Sequence, residues 1–361
     1  MKVSICVLTV IAMLTLWSCS GGKQQENVAS YSWDCSQVEM ADSFDVATYM
    51  PHRLLLPLEE TAESRIAHVD KLILSDSVLY VLDARVAKRC YCFSMLSGKF
   101  LFTFGEVGRA NNEYLDINDI SVDSKSGHIH ALCNKNCIFV YDAHGVFIQR
   151  RDIPFVANNM EYEDGQYLFV CDDIDKGGLL VTDDEFKVKR SYFPNEDDHL
   201  HHYMLHPFQK RGDGTTSYIR YMDNKVYHIS QDGEMDVLYD INFGSTSLDR
   251  ETANAMDEMS LDKYIKNGRG WLKYFSENDK YAWVVFFDQK KPCVSLFDKQ
   301  SGESHTYSCE VVKDSKQIRF PIMLEYQIGE WMADVCYDKS FKLDKTSNSS
   351  DGQNPTLCLS K

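Results

Sequence analysis

Ser77-Val78-Leu79-Tyr80-Val81-Leu82-Asp83, then Arg89-Cys90-Tyr91-Cys92-Phe93, then Ser97-Gly98-Lys99 and Phe100-Leu101-Phe102-Thr103-Phe104 form the stretch that decides the fold. Three short runs rich in Val, Leu, Tyr and Phe are separated by turn residues, which is the pattern of strands joined by hairpins. The same unit recurs downstream. His128–Leu132, Cys137–Asp142 and Val146–Ile148 make a second copy, and Gln166–Val170, Gly178–Thr182 and Phe186–Val188 a third. Ser217–Tyr221, Lys225–Ile229 and Val237–Tyr239 make a fourth, and Tyr281–Phe286, Cys293–Asp298 and Ser304–Tyr307 a fifth. A partial sixth copy has only Trp331–Val335 and Thr356–Leu359.

A period of roughly 45–60 residues with strands throughout is the signature of propeller blades of about four strands. One blade cannot bury both of its faces, so the copies must stack side by side around an axis. The expectation is an all-β, six-bladed β-propeller over residues 46–361. The ring closes if Arg53-Leu54-Leu55-Leu56-Pro57-Leu58 adds an N-terminal strand to the blade of Thr356–Leu359, with Pro57 at an edge or a strand end. One segment departs from the β pattern. Residues 247–266 space Ala253, Met256, Met259, Tyr264 and Ile265 among charges, as one or two short helices inserted between the fourth and fifth copies do, with Thr246 or Ser247 as the cap.

The N-terminus is of another kind. Met1-Lys2 precedes the apolar run Val3–Trp17, and Leu16-Trp17-Ser18-Cys19 is followed at once by Ser20-Gly21-Gly22-Lys23. The run is shorter than the roughly 20 apolar residues of a membrane-spanning helix. Residues 1–18 therefore read as a lipoprotein signal peptide, favoured over an ordinary secretory signal cut near Ser18, with Cys19 as the lipidated first residue of the mature chain. The polar residues 19–45 read as a tether to the folded body. The membrane is then a partner through the lipid on Cys19, and the expected location is the cell envelope, most simply the outer membrane.

Bulk composition narrows the partners. The formal net charge is −16 and no basic cluster stands out, which excludes nucleic acid as the natural ligand. Of the twelve cysteines, Cys6 and Cys19 belong to the leader and its lipid site. Most of the other ten lie inside apolar runs, where cysteine behaves as a small buried hydrophobe.

On the residues already quoted, the chain resembles the six-bladed β-propeller lipoproteins of Bacteroidetes, which are NHL-like in fold. The resemblance is carried by Gly105-Glu106-Val107-Gly108-Arg109-Ala110-Asn111-Asn112-Glu113-Tyr114, by Asp223–Ile229 with Asp232-Gly233, and by Asn354-Pro355-Thr356-Leu357. It implies a fold and a location and leaves the activity open.

Residues with chemistry are sparse. His199, His201, His202 and His206 crowd beside Glu196, Asp197 and Asp198, but their spacing matches no closed zinc site, so a solvated loop is the simpler reading. If that loop overlies the axis, the four histidines are candidate ligand contacts, and Arg220 and Tyr221 are further candidates. Asp173–Gly178 and Cys133-Asn134-Lys135-Asn136-Cys137 read as turns, not as metal loops. There is no nucleophile elbow, phosphate loop, zincin motif or dinucleotide fingerprint. No cofactor is implied, and no catalytic or metal-binding residue is assigned. The sequence thus favours a monomeric, non-catalytic binding or scaffold body for a protein or glycan. A metal-dependent, lactonase-like hydrolase or lyase is the alternative, and it requires acidic, Asn or His side chains converging on the axis.

Overall fold

The structure is a computed structural model, and it describes residues 30–40, 44–171, 178–193, 204–245, 247, 249–310, 312–313, 324–337 and 354–361. Six antiparallel sheets surround one axis as the blades of a six-bladed β-propeller. Blade 1 spans residues 71–104, blade 2 residues 117–152 and blade 3 residues 157–192. Blade 4 spans 208–242 and blade 5 spans 269–308. Blade 6 joins Tyr326–Ile328, Trp331–Cys336 and Thr356–Ser360 to the N-terminal strand Arg53–Pro57.

Each blade has an innermost strand that the three-strand sequence copies leave out. These are Lys71–Ser75, Ile117–Val122, Ala157–Glu163, Phe208–Lys210, Arg269–Glu277 and Tyr326–Ile328. The innermost strands of blades 5, 6, 1, 2 and 3 touch in succession around the axis. They carry charged residues toward the channel, and those charges break the apolar runs by which the other strands are recognised. The middle strands are apolar on both faces because each is covered by a blade on either side; Ile129–Cys133 and Cys137–Tyr141 are buried along their whole length. Blade-to-blade packing buries large aromatic residues, among them Trp283, Phe139 and Phe169. All ten cysteines from Cys35 onward are buried, and none is in a disulfide.

The ring closes as the sequence implies. Thr356–Ser360 pairs antiparallel with Arg53–Pro57, Leu357 opposite Leu56 and Cys358 opposite Leu55. His52 and Lys361 exchange both of their backbone hydrogen bonds, at 2.9 Å each. Hydrogen-bonded and non-hydrogen-bonded pairs alternate from there, so Pro57 opposite Thr356 falls at a non-hydrogen-bonded position where its missing N–H leaves nothing unpaired. Asn354, just before the last strand, donates to Glu59 O at 2.9 Å and Ser64 O at 2.5 Å, and accepts from Ile66 N at 2.9 Å. It ties the closing strand to the lead into blade 1.

The linker from blade 1 to blade 2 folds back on itself. Gly105 has φ +87°, and a Cβ there would lie 2.1 Å from the Tyr114 hydroxyl, so glycine is required on both counts. Tyr114 is buried and donates to Lys88 O at 2.9 Å, while Glu113 accepts from Ala110 N at 2.8 Å.

Two expectations are corrected. The polarity of residues 19–45 suggests a tether, yet the described part of this stretch is a strap on the body. Tyr31–Asp34 adds as a fifth, parallel strand to the outer edge of blade 4. Trp33 is fully buried there and donates to Ser295 Oγ of blade 5 at 3.0 Å. Farther along, Glu39 N donates to Thr306 O, Phe44 stacks on Tyr307 at 4.3 Å, and Phe44–Asp45 pairs with Val312–Lys313. A few apolar residues in a polar stretch suffice, because the open edge of blade 4 supplies the backbone partners. The second correction concerns the helical insertion. It forms Arg250–Asn254 and Glu258–Asn267, capped by Asp249 and Asp257, which accept from Thr252 N at 2.7 Å and Ser260 N at 2.8 Å. A carboxylate at the cap is as good an acceptor as the Ser or Thr the pattern suggested. Among the described residues no helix is long and apolar enough to cross a membrane.

Candidate functional site: the axial channel

A cavity of about 890 Å³ runs along the axis. Its mouth is formed by hairpins that join first and second strands, including Asp213–Thr215 of blade 4 and Asn278–Lys280 of blade 5. Its inner end reaches His206 and Glu325, which lead into the first strands of blades 4 and 6. Every blade contributes to the wall, and Tyr49, Pro51 and His52, between the strap and the closing strand Arg53–Pro57, add to the rim.

Charges of both signs meet along the wall. Lys71 Nζ of blade 1 lies 2.9 Å from Asp119 of blade 2 and 3.6 Å from Glu161 of blade 3. Lys210 of blade 4 is 3.4 Å from Glu161 and 2.6 Å from Glu163, and it donates to Val122 O and Tyr162 O at 2.7 Å each. Across the axis Glu277 of blade 5 pairs with Arg211 and, at 2.6 Å, with Lys299, and accepts from Ser217 at 3.1 Å and Tyr239 at 3.2 Å. Ion pairs therefore link blades 1 to 5 through the channel.

Burial and pairing set the protonation of this network. Burial pushes the Glu161 carboxyl up, but Lys71 and Lys210 outweigh it and hold the group below its ordinary range. Burial works against the Lys71 ammonium, and Asp119 and Glu161 more than restore it, so its pKa lies above the ordinary value. Asp119 shares that one ammonium with Glu161, and for it burial wins: its carboxyl is pushed up, although it accepts from Met160 N at 2.9 Å. At the inner end burial raises Glu325, and contacts with His206 and Tyr274 reverse the shift and bring it below its ordinary value. Tyr274 donates to Glu325 at 2.9 Å, and His206 Nε2 stands 3.9 Å away.

The sequence candidates divide. His199, His201 and His202 lie outside the described residues. His206 is in the wall, its ring 4.6 Å from that of Tyr326 and 6.1 Å from that of Tyr274. Arg220 and Tyr221 sit at the turn between the second and third strands of blade 4, outside the cavity wall. Arg220 lies over the Phe193 ring at 3.6 Å and 3.7 Å from Asp223, and Tyr221 packs beside the helical insertion. Lys71, Asp119, Glu161, Lys210, Glu277 and Glu325 are the axial residues that motif reading missed. A signal was present: a charged residue stands in or beside each innermost strand, a few residues ahead of a Gly-, Asn- or Asp-containing turn such as Asp164-Gly165 or Asp213-Gly214. Among the described residues no three His, Cys, Asp or Glu side chains are gathered as a metal site.

The fold has solved counterparts. A putative exported protein from Bacteroides fragilis NCTC 9343 superposes with a TM-score of 0.73 at 18% identity, over 92% of this chain and 99% of that one. A member of the DUF4221 family from Bacteroides vulgatus ATCC 8482 superposes with a TM-score of 0.55 at 9% identity, over 86% of this chain and 96% of that one. At these identities the likeness concerns the fold alone. A comparison with curated proteins gives no match. The family profile described as "Domain of unknown function (DUF4934)" matches residues 34–357, nearly the whole ring with its strap, and the chain belongs to that family.

Proposed function

We propose that this protein is a non-catalytic binding module of the cell envelope, anchored through lipid on Cys19, which takes a protein or glycan ligand in its axial channel. The observation that carries the reading is the cavity of about 890 Å³ into which all six blades direct side chains. A volume of this order suits a ligand of drug or disaccharide size. The rim offers the half-buried rings of Tyr49 and Tyr281, and the wall offers donors and acceptors from several blades. Export is supported by the Leu16–Cys19 pattern and by the likeness to the putative exported protein of Bacteroides fragilis.

The hydrolase or lyase reading meets an obstacle in the same residues. Four of the carboxylates at the axis, Asp119, Glu161, Glu163 and Glu277, are matched by Lys71, Lys210, Arg211 and Lys299, and these ammonium and guanidinium groups occupy the places where a divalent ion would be drawn.

Two measurements test the proposal. Metabolic labelling with a palmitate analogue should mark the wild-type protein and leave Cys19→Ser unlabelled; equal labelling of both removes the anchor. Glycan-array and envelope pull-down screens with the mature chain should yield a ligand whose binding is lost in Thr215→Trp, which narrows the channel mouth. A ligand that binds this variant unchanged lies elsewhere on the molecule. Turnover of a small substrate with both screens empty refutes the binding role.

A further inference from the structure

The axial carboxylates do not all have the same company. Glu161, Glu163, Glu277 and Asp119 each have a Lys or Arg nitrogen within 4 Å. Glu325 has none among the described residues: its neighbours are the Tyr274 hydroxyl at 2.9 Å and His206 Nε2 at 3.9 Å, beyond hydrogen-bond reach. Lys273 lies over the Tyr274 ring at 4.8 Å and acts on Glu325 only through its field. The Glu325 side chain is 28% exposed, and what it faces is the cavity. His206 is a second sign of a missing partner. Its side chain is only 9% exposed, and Nε2 is buried with no hydrogen-bond partner among the described residues. Gln209 Oε1, at the same wall, is likewise buried without a donor. Two groups at this wall, His206 Nε2 and Gln209 Oε1, are therefore buried without a hydrogen-bond partner among the described residues, and the Glu325 carboxylate, which accepts from Tyr274, keeps acceptor capacity for what binds there; the carboxylate and the amide oxygen can only accept.

We propose that the inner end of the channel is a receptor for an ammonium group, built on the Glu325 carboxylate with the Tyr274, Tyr326 and His206 rings beside it, and that the channel's ligand is a small amine-bearing molecule such as an amino sugar. A carboxylate in a cavity of low dielectric attracts a cation strongly, and nearby aromatic rings favour an organic cation. A bare metal ion fits less well, because no three ligating side chains gather there among the described residues. The idea rests on the channel being the ligand site, and it adds the chemical class.

Isothermal titration of the mature chain with three disaccharides of one shape tests it: β-1,4-linked glucosamine dimer, its N,N′-diacetyl form, and cellobiose. The free amine should bind at least about tenfold more tightly than the other two, and Glu325→Gln should remove that advantage. Glu303→Gln, on an exposed turn of blade 5, should retain it. The comparison of sugars on wild type holds even if the Glu325 variant folds poorly. Equal binding of the three sugars, or amine preference unchanged in Glu325→Gln, overturns the ammonium receptor and leaves the channel reading standing. Absence of binding by all three, with a screened ligand still lost in Thr215→Trp, also overturns the receptor alone. A screened ligand indifferent to Thr215→Trp overturns both.

Discussion

Glu161 sits between two ammonium groups, Lys71 at 3.6 Å and Lys210 at 3.4 Å, with Ser121 donating to it as well. Its side chain is 7% exposed, so neither cation can be left without it cheaply. Breaking one partner of a buried pair costs about 3–5 kcal/mol, because the other charge stays behind. Glu161→Gln should lower the urea unfolding free energy at pH 7 by an amount of that order. The sign of the pH dependence follows from the depressed carboxyl. Its stabilisation is fully present above the ordinary carboxylate value of 4.5 and is lost as pH falls through the lower folded-state value. Wild type and variant should therefore converge below pH 4.5, and a gap that stays constant from pH 7 to pH 3 contradicts the assignment. None of this was legible as a motif. Lys71, Glu161 and Lys210 are 139 residues apart from first to last, and each alone looks like an ordinary charge in a strand.

Elements were legible in proportion to their burial. The middle strands of each blade announce themselves by apolar runs and the outermost follow them after a turn, as Phe147–Asp152 does although it is largely exposed, whereas the innermost strands hide because alternate positions face the polar channel. The strap shows the opposite error, since a mostly polar segment is held by few residues. Trp33 is the main one, fully buried between blades 4 and 5, with Tyr239 and Phe297 rings within 5.5 Å. Trp33→Ala should destabilise the protein by about 3–5 kcal/mol, seen as a lower urea midpoint. Amide exchange should quicken at Tyr31–Asp34 and along the outer strand Met235–Asn242 that the strap covers. A midpoint within error of wild type means that the strap is no part of the cooperative body.

For the whole molecule, closure is the decisive step, and its register can be tested covalently. Leu55 and Cys358 face each other across the closing strands at a non-hydrogen-bonded position, where side chains come closest. Leu55→Cys should form a disulfide with Cys358 without movement of the backbone. Because the loop it closes is nearly the whole chain, the gain should approach about 5 kcal/mol and raise the thermal midpoint until reductant is added. Leu54→Cys should fail to bond Cys358, since neighbouring residues on a strand point to opposite faces. Bond formation by Leu54→Cys in place of Leu55→Cys places the register one residue off.

The amino-acid sequence by itself determined the repeat, the number of blades, the closing strand and the position of the helical insertion. These depend on local alternation of apolar and turn residues, and local patterns survive in one dimension. Only the tertiary structure decided which charges meet at the axis, that the strap is part of the body, and that among the described residues no Lys or Arg stands beside Glu325 as one does beside its axial neighbours. Those facts depend on distances between residues far apart in the chain. Such distances exist only once six blades have closed around a common axis.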